Sequence, residues 1–171
     1  MLELPTRRRI FEFVREHPGS SARTVQRGVE LGWGETAYHL RQLLGAGLVH
    51  RERGGRRDYY FPAEMATLDR QLLLSMQSAV ERALLVELAR SPGATFREVV
   101  DRVGVGKSTV AFHLKFLVAL GIVEVDASAP TRRYRTRRPD LVLRLYGSFR
   151  DSFEDRWVDR FSSTWGGLTR K

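Results

Sequence analysis

One stretch of sequence occurs twice in this chain, 74 residues apart and without a gap. Pro18-Gly19 returns as Pro92-Gly93, Val25 as Val99, Gly32 as Gly106, and Tyr38-His39-Leu40 as Phe112-His113-Leu114. Leu43 returns as Leu117, Gly47-Leu48-Val49 as Gly121-Ile122-Val123, and Tyr60 as Tyr134. Self-similarity at a fixed spacing marks copies of one supersecondary unit, so an element read in one copy must also exist in the other.

In the first copy Ile10, Phe11, Phe13 and Val14 form a helical stripe that stops before Pro18-Gly19, where a proline cannot continue a helix. Ser20 or Ser21 can cap a short helix carrying Val25 and Val29, and Gly32 to Gly34 turns the chain into a third helix with Tyr38, Leu40, Leu43 and Leu44. Gly47 suits a helix end. Extended runs Leu48 to Arg51 and Asp58 to Phe61 flank a polar Gly54-Gly55 turn and predict a β-hairpin. The second copy predicts a helix from about Ser78 to Arg90, a helix capped by Thr95, a turn over Gly104 to Gly106, a helix Lys107 to Ala119, and strands around Ile122 to Val125 and Arg133 to Thr136. The fold class expected is mainly α with small β-hairpin wings, two tandem winged helix-turn-helix domains and a C-terminal helix. The boundaries expected are 1–62 and 80–138 for the two domains, 63–79 for a linking helix, separate from the next helix or merged with it, and 139–171 for the C-terminal helix.

The segments GWGETAYHLRQLLGAGLVHRERGGRRDYYFP and VGKSTVAFHLKFLVALGIVEV resemble the recognition helix and wing of winged helix-turn-helix regulators of the ArsR/MarR type, and their pairing resembles the tandem regulators common in archaea. The resemblance spans residues 7–137 and is most specific in S-T-V-x-x-H-L-x-x-L-x-x-x-G-I-V, Ser108 to Val123. It implies that the second helix of each motif lies in the DNA major groove and that the wing reaches the backbone or minor groove. The first copy departs from the pattern, with Gly34-Glu35 in place of Ser108-Thr109, and an acidic residue there repels phosphate.

A groove-entering helix must bury one face in its own domain and offer the other to the DNA. Val110, Leu114 and Leu117 can face inward, leaving Lys107, Ser108, Thr109, Ala111 and Lys115 outward. The lysines suit phosphates, the hydroxyls suit phosphates or base edges, and Ala111 suits a thymine methyl. The corresponding candidates in the first copy are Thr36, Tyr38, His39, Arg41 and Gln42, with Arg53, Arg56 and Arg57 at the wing tip. The second wing offers Arg132, Arg133 and Arg135, followed by Arg137 and Arg138.

Composition agrees with a polyanion as partner: 29 basic against 20 acidic residues give a net charge of +9 and a pI near 10.7. Cysteine is absent, so disulfides and thiolate metal sites are excluded, and no metal or cofactor is expected. The apolar runs are too short to span a bilayer and the N-terminus lacks a secretory pattern, so a cytoplasmic protein is expected. Gly104 to Thr109 reads GVGKST, but a P-loop would need glycine where Asp101 stands and a strand before the turn. His39 and His113 occupy equivalent places in separate units and so point to packing or phosphate contact rather than one shared metal site. No nucleophile-base pair or paired acids stand at telling positions, and an enzyme is not expected.

After Pro139, Leu141, Val142, Leu145, Tyr146, Phe149, Phe153, Trp157 and Phe161 recur at spacings of three and four. This stripe is expected to pack intramolecularly or to form a homodimer interface, and its width, with Trp165 beyond, favours the dimer. The function expected is sequence-specific binding of double-stranded DNA to regulate transcription, mainly through the second domain. Two alternatives stand beside it, a protein-interaction scaffold of tandem winged helices and a nucleic-acid binder without sequence choice.

Overall fold

The computed structural model describes residues 4–128 and 130–147, and these fall into two compact units divided between Ser78 and Ala79. The first unit runs α1 (Pro5–Glu16), β1 (Ser20–Ser21), α2 (Ala22–Val29), α3 (Trp33–Gly45), β2 (Val49–Gly54), β3 (Arg57–Pro62) and α4 (Thr67–Ser75). The second runs α5 (Ala79–Arg90), β4 (Ala94–Thr95), α6 (Phe96–Val103), α7 (Lys107–Ala119), β5 (Val123–Asp126) and β6 (Arg133–Thr136), followed by helical residues 139–147. Both winged helix-turn-helix units are present. All three helices of the second motif begin and end 74 residues after their counterparts in the first.

The repeat extends to single hydrogen bonds. Each small antiparallel sheet places its two-residue strand beside the returning wing strand, in the orders β1-β3-β2 and β4-β6-β5. Ser20 faces Tyr60 in one sheet and Ala94 faces Tyr134 in the other. The Gly19 amide donates to the Tyr60 carbonyl at 2.8 Å, and the Gly93 amide to that of Tyr134 at 2.9 Å. The third helix of each unit ends alike. Leu48 N–H reaches Leu43 O and Gly47 N–H reaches Leu44 O in one, while Ile122 reaches Leu117 and Gly121 reaches Val118 in the other. This pair of bonds closes a helix end only if the intervening residue is left-handed, and Gly47 and Gly121 have φ of +67° and +71°.

The cores match in the same way. Ile10, Val14, Val25, Val29, Leu40, Leu43, Val49 and Tyr60 form the buried cluster of the first unit. Leu84, Leu88, Val99, Leu114, Leu117 and Val123 are buried at equivalent positions of the second. Where a Cβ of Gly28 would stand, the ring of Phe13 lies at 2.0 Å, so α1 and α2 approach too closely there for a side chain on the α2 residue. The linking helix belongs to the first unit and ends before α5, with Met76 to Ser78 between them. Arg70 on α4 is mostly buried and donates to Glu52 of the wing at 3.0 Å, to Thr67 Oγ1 at 3.1 Å and to the Met65 carbonyl, which fixes α4 against its own wing.

α2 and α6 are capped by Ser21 and Thr95, each accepting from the amide three residues on. Thr95 adds a reciprocal bond, since its own amide donates to Glu98 Oε2 at 2.7 Å. This backbone hydrogen bond is the chief reason Glu98 is held below its usual carboxylate range. A depressed folded pKa contributes stability above the unfolded carboxylate range that is lost as pH falls toward the folded value. Loss of the Thr95 cap in Thr95→Ala is expected to destabilise the second unit by about 1 kcal/mol at neutral pH, the usual cost of removing an N-cap side chain. Urea unfolding at neutral and acidic pH checks this, because the penalty should shrink in acid as Glu98 protonates.

Candidate nucleic-acid interface

α7 separates its faces as a groove-entering helix must. Val110, Leu114 and Leu117 are buried, one or two turns apart, and hold the helix to the unit. Lys107, Ser108, Ala111 and Lys115 are exposed and Thr109 is half-buried. The turn before it contains Gly104, at φ +69°, which ends α6; the residues GVGKST therefore follow a helix and not a strand. Two further residues on the outer face were not among the candidates read from the sequence: Phe112 is 69% exposed and Phe116 45% exposed. The spacing could have found them, because each lies two residues after an inward residue, on the opposite side of the helix.

α3 divides its candidates differently. Tyr38 and Arg41 are exposed and Gln42 is half-buried, as expected of a presenting face, and Trp33 is exposed at the helix start. Thr36 and His39 face inward and offer nothing to a groove. Thr36 is fully buried at the position equivalent to Val110, and its hydroxyl donates to the Gly32 carbonyl at 2.9 Å. A threonine differs from valine by one hydroxyl, and here that hydroxyl is satisfied within the first turn of its own helix.

The two histidines pack rather than present. His113 Nδ1 stands 3.1 Å from Glu81 Oε1, with both side chains largely buried between α7 and α5. In the first unit the residue equivalent to Glu81 is Arg7, and the buried His39 Nδ1 has no hydrogen-bond partner among the described residues. Among the described residues no group of three or more His, Asp or Glu is placed to hold a metal, and no helix is long and apolar enough to cross a membrane.

Each wing carries several exposed arginines. In the first, β2 and β3 pair out to Gly54 and Arg57, leaving Gly55, at φ +63°, and Arg56 as a two-residue turn. Arg53, Arg56 and Arg57 are all exposed at that tip; Arg51 and Arg53 share Asp58 at 3.7 and 3.9 Å. The second hairpin has equal length but stops pairing at Asp126 and Arg133, because its longer connection contains Pro130, which cannot donate to a ladder, and lacks the double glycine. Arg132 and Arg133 are exposed there, with Arg133 donating to the Gly93 carbonyl at 2.9 Å.

Arg135 is less available. Glu124 accepts from Arg135 Nε at 2.7 Å and from Arg137 Nε at 2.8 Å, and the bond from Arg135 is the main cause holding Glu124 below the usual carboxylate range. Glu124→Gln removes one negative charge from a basic strand pair. If this wing lies along phosphates, the variant is expected to bind duplex DNA a few-fold more tightly at low salt, with a log-log salt slope steeper by about one. Fluorescence anisotropy over a salt series measures both, and an unchanged slope would separate this wing from the DNA.

With this geometry in view, known proteins give a consistent comparison. A family described as an N-terminal HTH domain matches residues 5–73, and one described as winged helix-turn-helix DNA-binding matches residues 77–124. An uncharacterized HTH-type transcriptional regulator of Methanocaldococcus jannaschii is 30% identical over 119 residues, which are 70% of this chain and 30% of that protein. The chain thus spans about a third of the length of its curated relative. Among solved structures, human N-acetylserotonin methyltransferase aligns over 65% of this chain and 37% of its own, with 20% identity and a TM-score of 0.31. The DIP2311 protein of Corynebacterium diphtheriae aligns over 77% of this chain and 26% of its own, with 15% identity and a TM-score of 0.29; neither superposition bears on function. The matched families are one step coarser than the ArsR/MarR resemblance: on them the chain carries two helix-turn-helix domains in tandem, an N-terminal HTH domain and a winged helix-turn-helix DNA-binding domain.

Proposed function

We propose that the chain regulates transcription by sequence-specific binding of double-stranded DNA, with α7 entering the major groove and the arginine-rich wings lying along phosphates. The observation that carries this reading is the outer face of α7, where exposed Lys107, Ser108, Ala111 and Lys115 stand on a helix without a single acidic residue. Thr109 joins them from the helix edge. Tyr38, Arg41 and Gln42 of α3, Arg53, Arg56 and Arg57 of the first wing, and Arg132, Arg133 and Arg135 of the second add contacts. Glu35, exposed in the first turn of α3, weakens phosphate binding by that helix, so α7 dominates. The relative's name as an HTH-type transcriptional regulator supports the regulatory role. The chain performs no catalysis in this role, and it works in the compartment that holds the chromosome, the cytoplasm of a prokaryotic cell.

The protein acts as a homodimer through the later part of the C-terminal stripe, since Val142 at its start is already buried within the chain and Tyr146 lies against Arg90; the members from Phe149 onward lie outside the described residues. Selection of bound duplexes from a random library at physiological salt tests the reading. An enriched motif is the expected result, palindromic if two copies bind across a two-fold axis. Salt-sensitive binding without enrichment would make the chain a non-specific binder, and retention of no duplex even at low salt would overturn the DNA reading in favour of a protein scaffold.

A further inference from the structure

The outer face of α7 carries more apolar surface than phosphate binding uses. Phe112 and Phe116 are one helical turn apart and are 69% and 45% exposed, with Ala111 exposed beside them. Single exposed apolar residues are ordinary, but two adjacent phenylalanines form a patch that calls for an apolar counterpart. The patch is bounded by charge, since Lys107 and Lys115 are exposed on the same helix and α7 has no acidic residue. An occupant must therefore combine apolar groups with surrounding negative charge. The major groove does so, because thymine places a C5 methyl among base edges lined by phosphates. Resting on the reading of α7 as a groove-entering helix, we propose that Phe112 and Phe116, together with Ala111, read thymine methyl groups, so that the preferred duplex carries thymines where α7 lies.

The buried residues Val110, Leu114 and Leu117 fix the rotation of the helix so that the aromatic pair faces away from the core. The first unit lacks the pair. Tyr38 is aromatic at the position of Phe112 and 49% exposed, but Gln42 stands where Phe116 does. Methyl reading is thus a property of the second unit.

The test uses the full chain and the tightest duplex from the library selection, with each thymine replaced in turn by deoxyuridine, which lacks only the methyl. Each contacted thymine should lose about fourfold in affinity on replacement, the worth of one buried methyl, and thymines outside the α7 footprint should lose nothing. A Phe112→Ala, Phe116→Ala variant should bind the thymine and uracil duplexes equally, whereas Phe112→Leu should keep part of the discrimination. Salt-dependent binding with no thymine-uracil difference would overturn the methyl reading and leave DNA binding intact. Failure to bind any duplex would overturn both readings. A change in sedimentation of the double alanine variant, with the thymine-uracil ratio unchanged, would assign the patch to contact between copies of the chain and also overturn the proposal. The uracil series on the unsubstituted protein decides the matter even if the double variant does not fold.

Discussion

Replacing Lys107 and Lys115 together by alanine is expected to weaken duplex binding by roughly tenfold or more at low salt and to flatten the log-log salt slope by about two, since each neutralised phosphate contributes about 0.9 to it. Both lysines are exposed on α7, and neither takes part in an ion pair among the described residues. No ion pair among the described residues is lost with them, so the thermal midpoint should stay within a degree or two of the parent, as for most surface substitutions. This combination separates loss of binding from loss of fold. Exchange of both for arginine should keep the slope, because the count of phosphate partners is unchanged, while altering affinity through the different geometry of the guanidinium. Filter binding or anisotropy at five or six salt concentrations gives the slope directly. An unchanged slope in the alanine variant would remove α7 from the interface.

Wing electrostatics modulates the same quantity from another place. Arg135 and Arg137 share the carboxylate of Glu124, and Arg51 and Arg53 lie near that of Asp58. Exposed pairs of this kind contribute little to folding, so phosphates can compete for the same guanidinium groups at small cost. Arg56 and Arg57 at the first wing tip are exposed and stand apart from the described ion pairs, so they are the more immediate phosphate partners. The two wings thus differ in readiness, although their hairpins are equal in length.

The fold was legible because its determinants are local. Glycines at helix ends, prolines after the first helix and apolar spacing of three and four recur at a constant offset, so an element doubtful in one copy is supported by the other. For the candidate site, which residues lie outside was legible only where chemistry and position agree. Lys107 and Lys115 are polar and lie outside; Val110, Leu114 and Leu117 are apolar and lie inside. Where they disagree, position decides. Thr36, with Leu40 and Leu43, sits at the spacing of the inward face, and its hydroxyl is turned back on Gly32. Phe112 and Phe116 sit at outward spacing although apolar residues are ordinarily core. His39 and His113 differ because α1 supplies Arg7 where α5 supplies Glu81, a contrast 74 residues apart that no local pattern shows. The bond from Arg70 to Glu52 likewise joins residues 18 apart in different elements, and only the tertiary structure reveals it.

Leu43→Ala and Leu117→Ala form a matched pair, one in each unit, and each is expected to cost about 2–5 kcal/mol by leaving a cavity under the helix that carries it. Both leucines are 0% exposed and both carbonyls close the glycine-ended turn of their helix, so the lost packing is of the same kind in α3 and α7. Against a stability of roughly 5–15 kcal/mol for a small domain, either loss is large. Urea unfolding followed by circular dichroism measures it, and a cost below about 1 kcal/mol would mean that the site collapses around the alanine. The pair also tests which helix reads DNA. At a temperature where both variants remain folded, Leu117→Ala loosens the support of Lys107, Lys115 and the Phe112-Phe116 face, whereas Leu43→Ala loosens a helix whose first turn carries Glu35. Affinity should therefore fall more in the Leu117 variant than in the Leu43 variant. Equal losses would give α3 an equal share of the DNA, and the first unit would then act as a second reading head despite its acidic start.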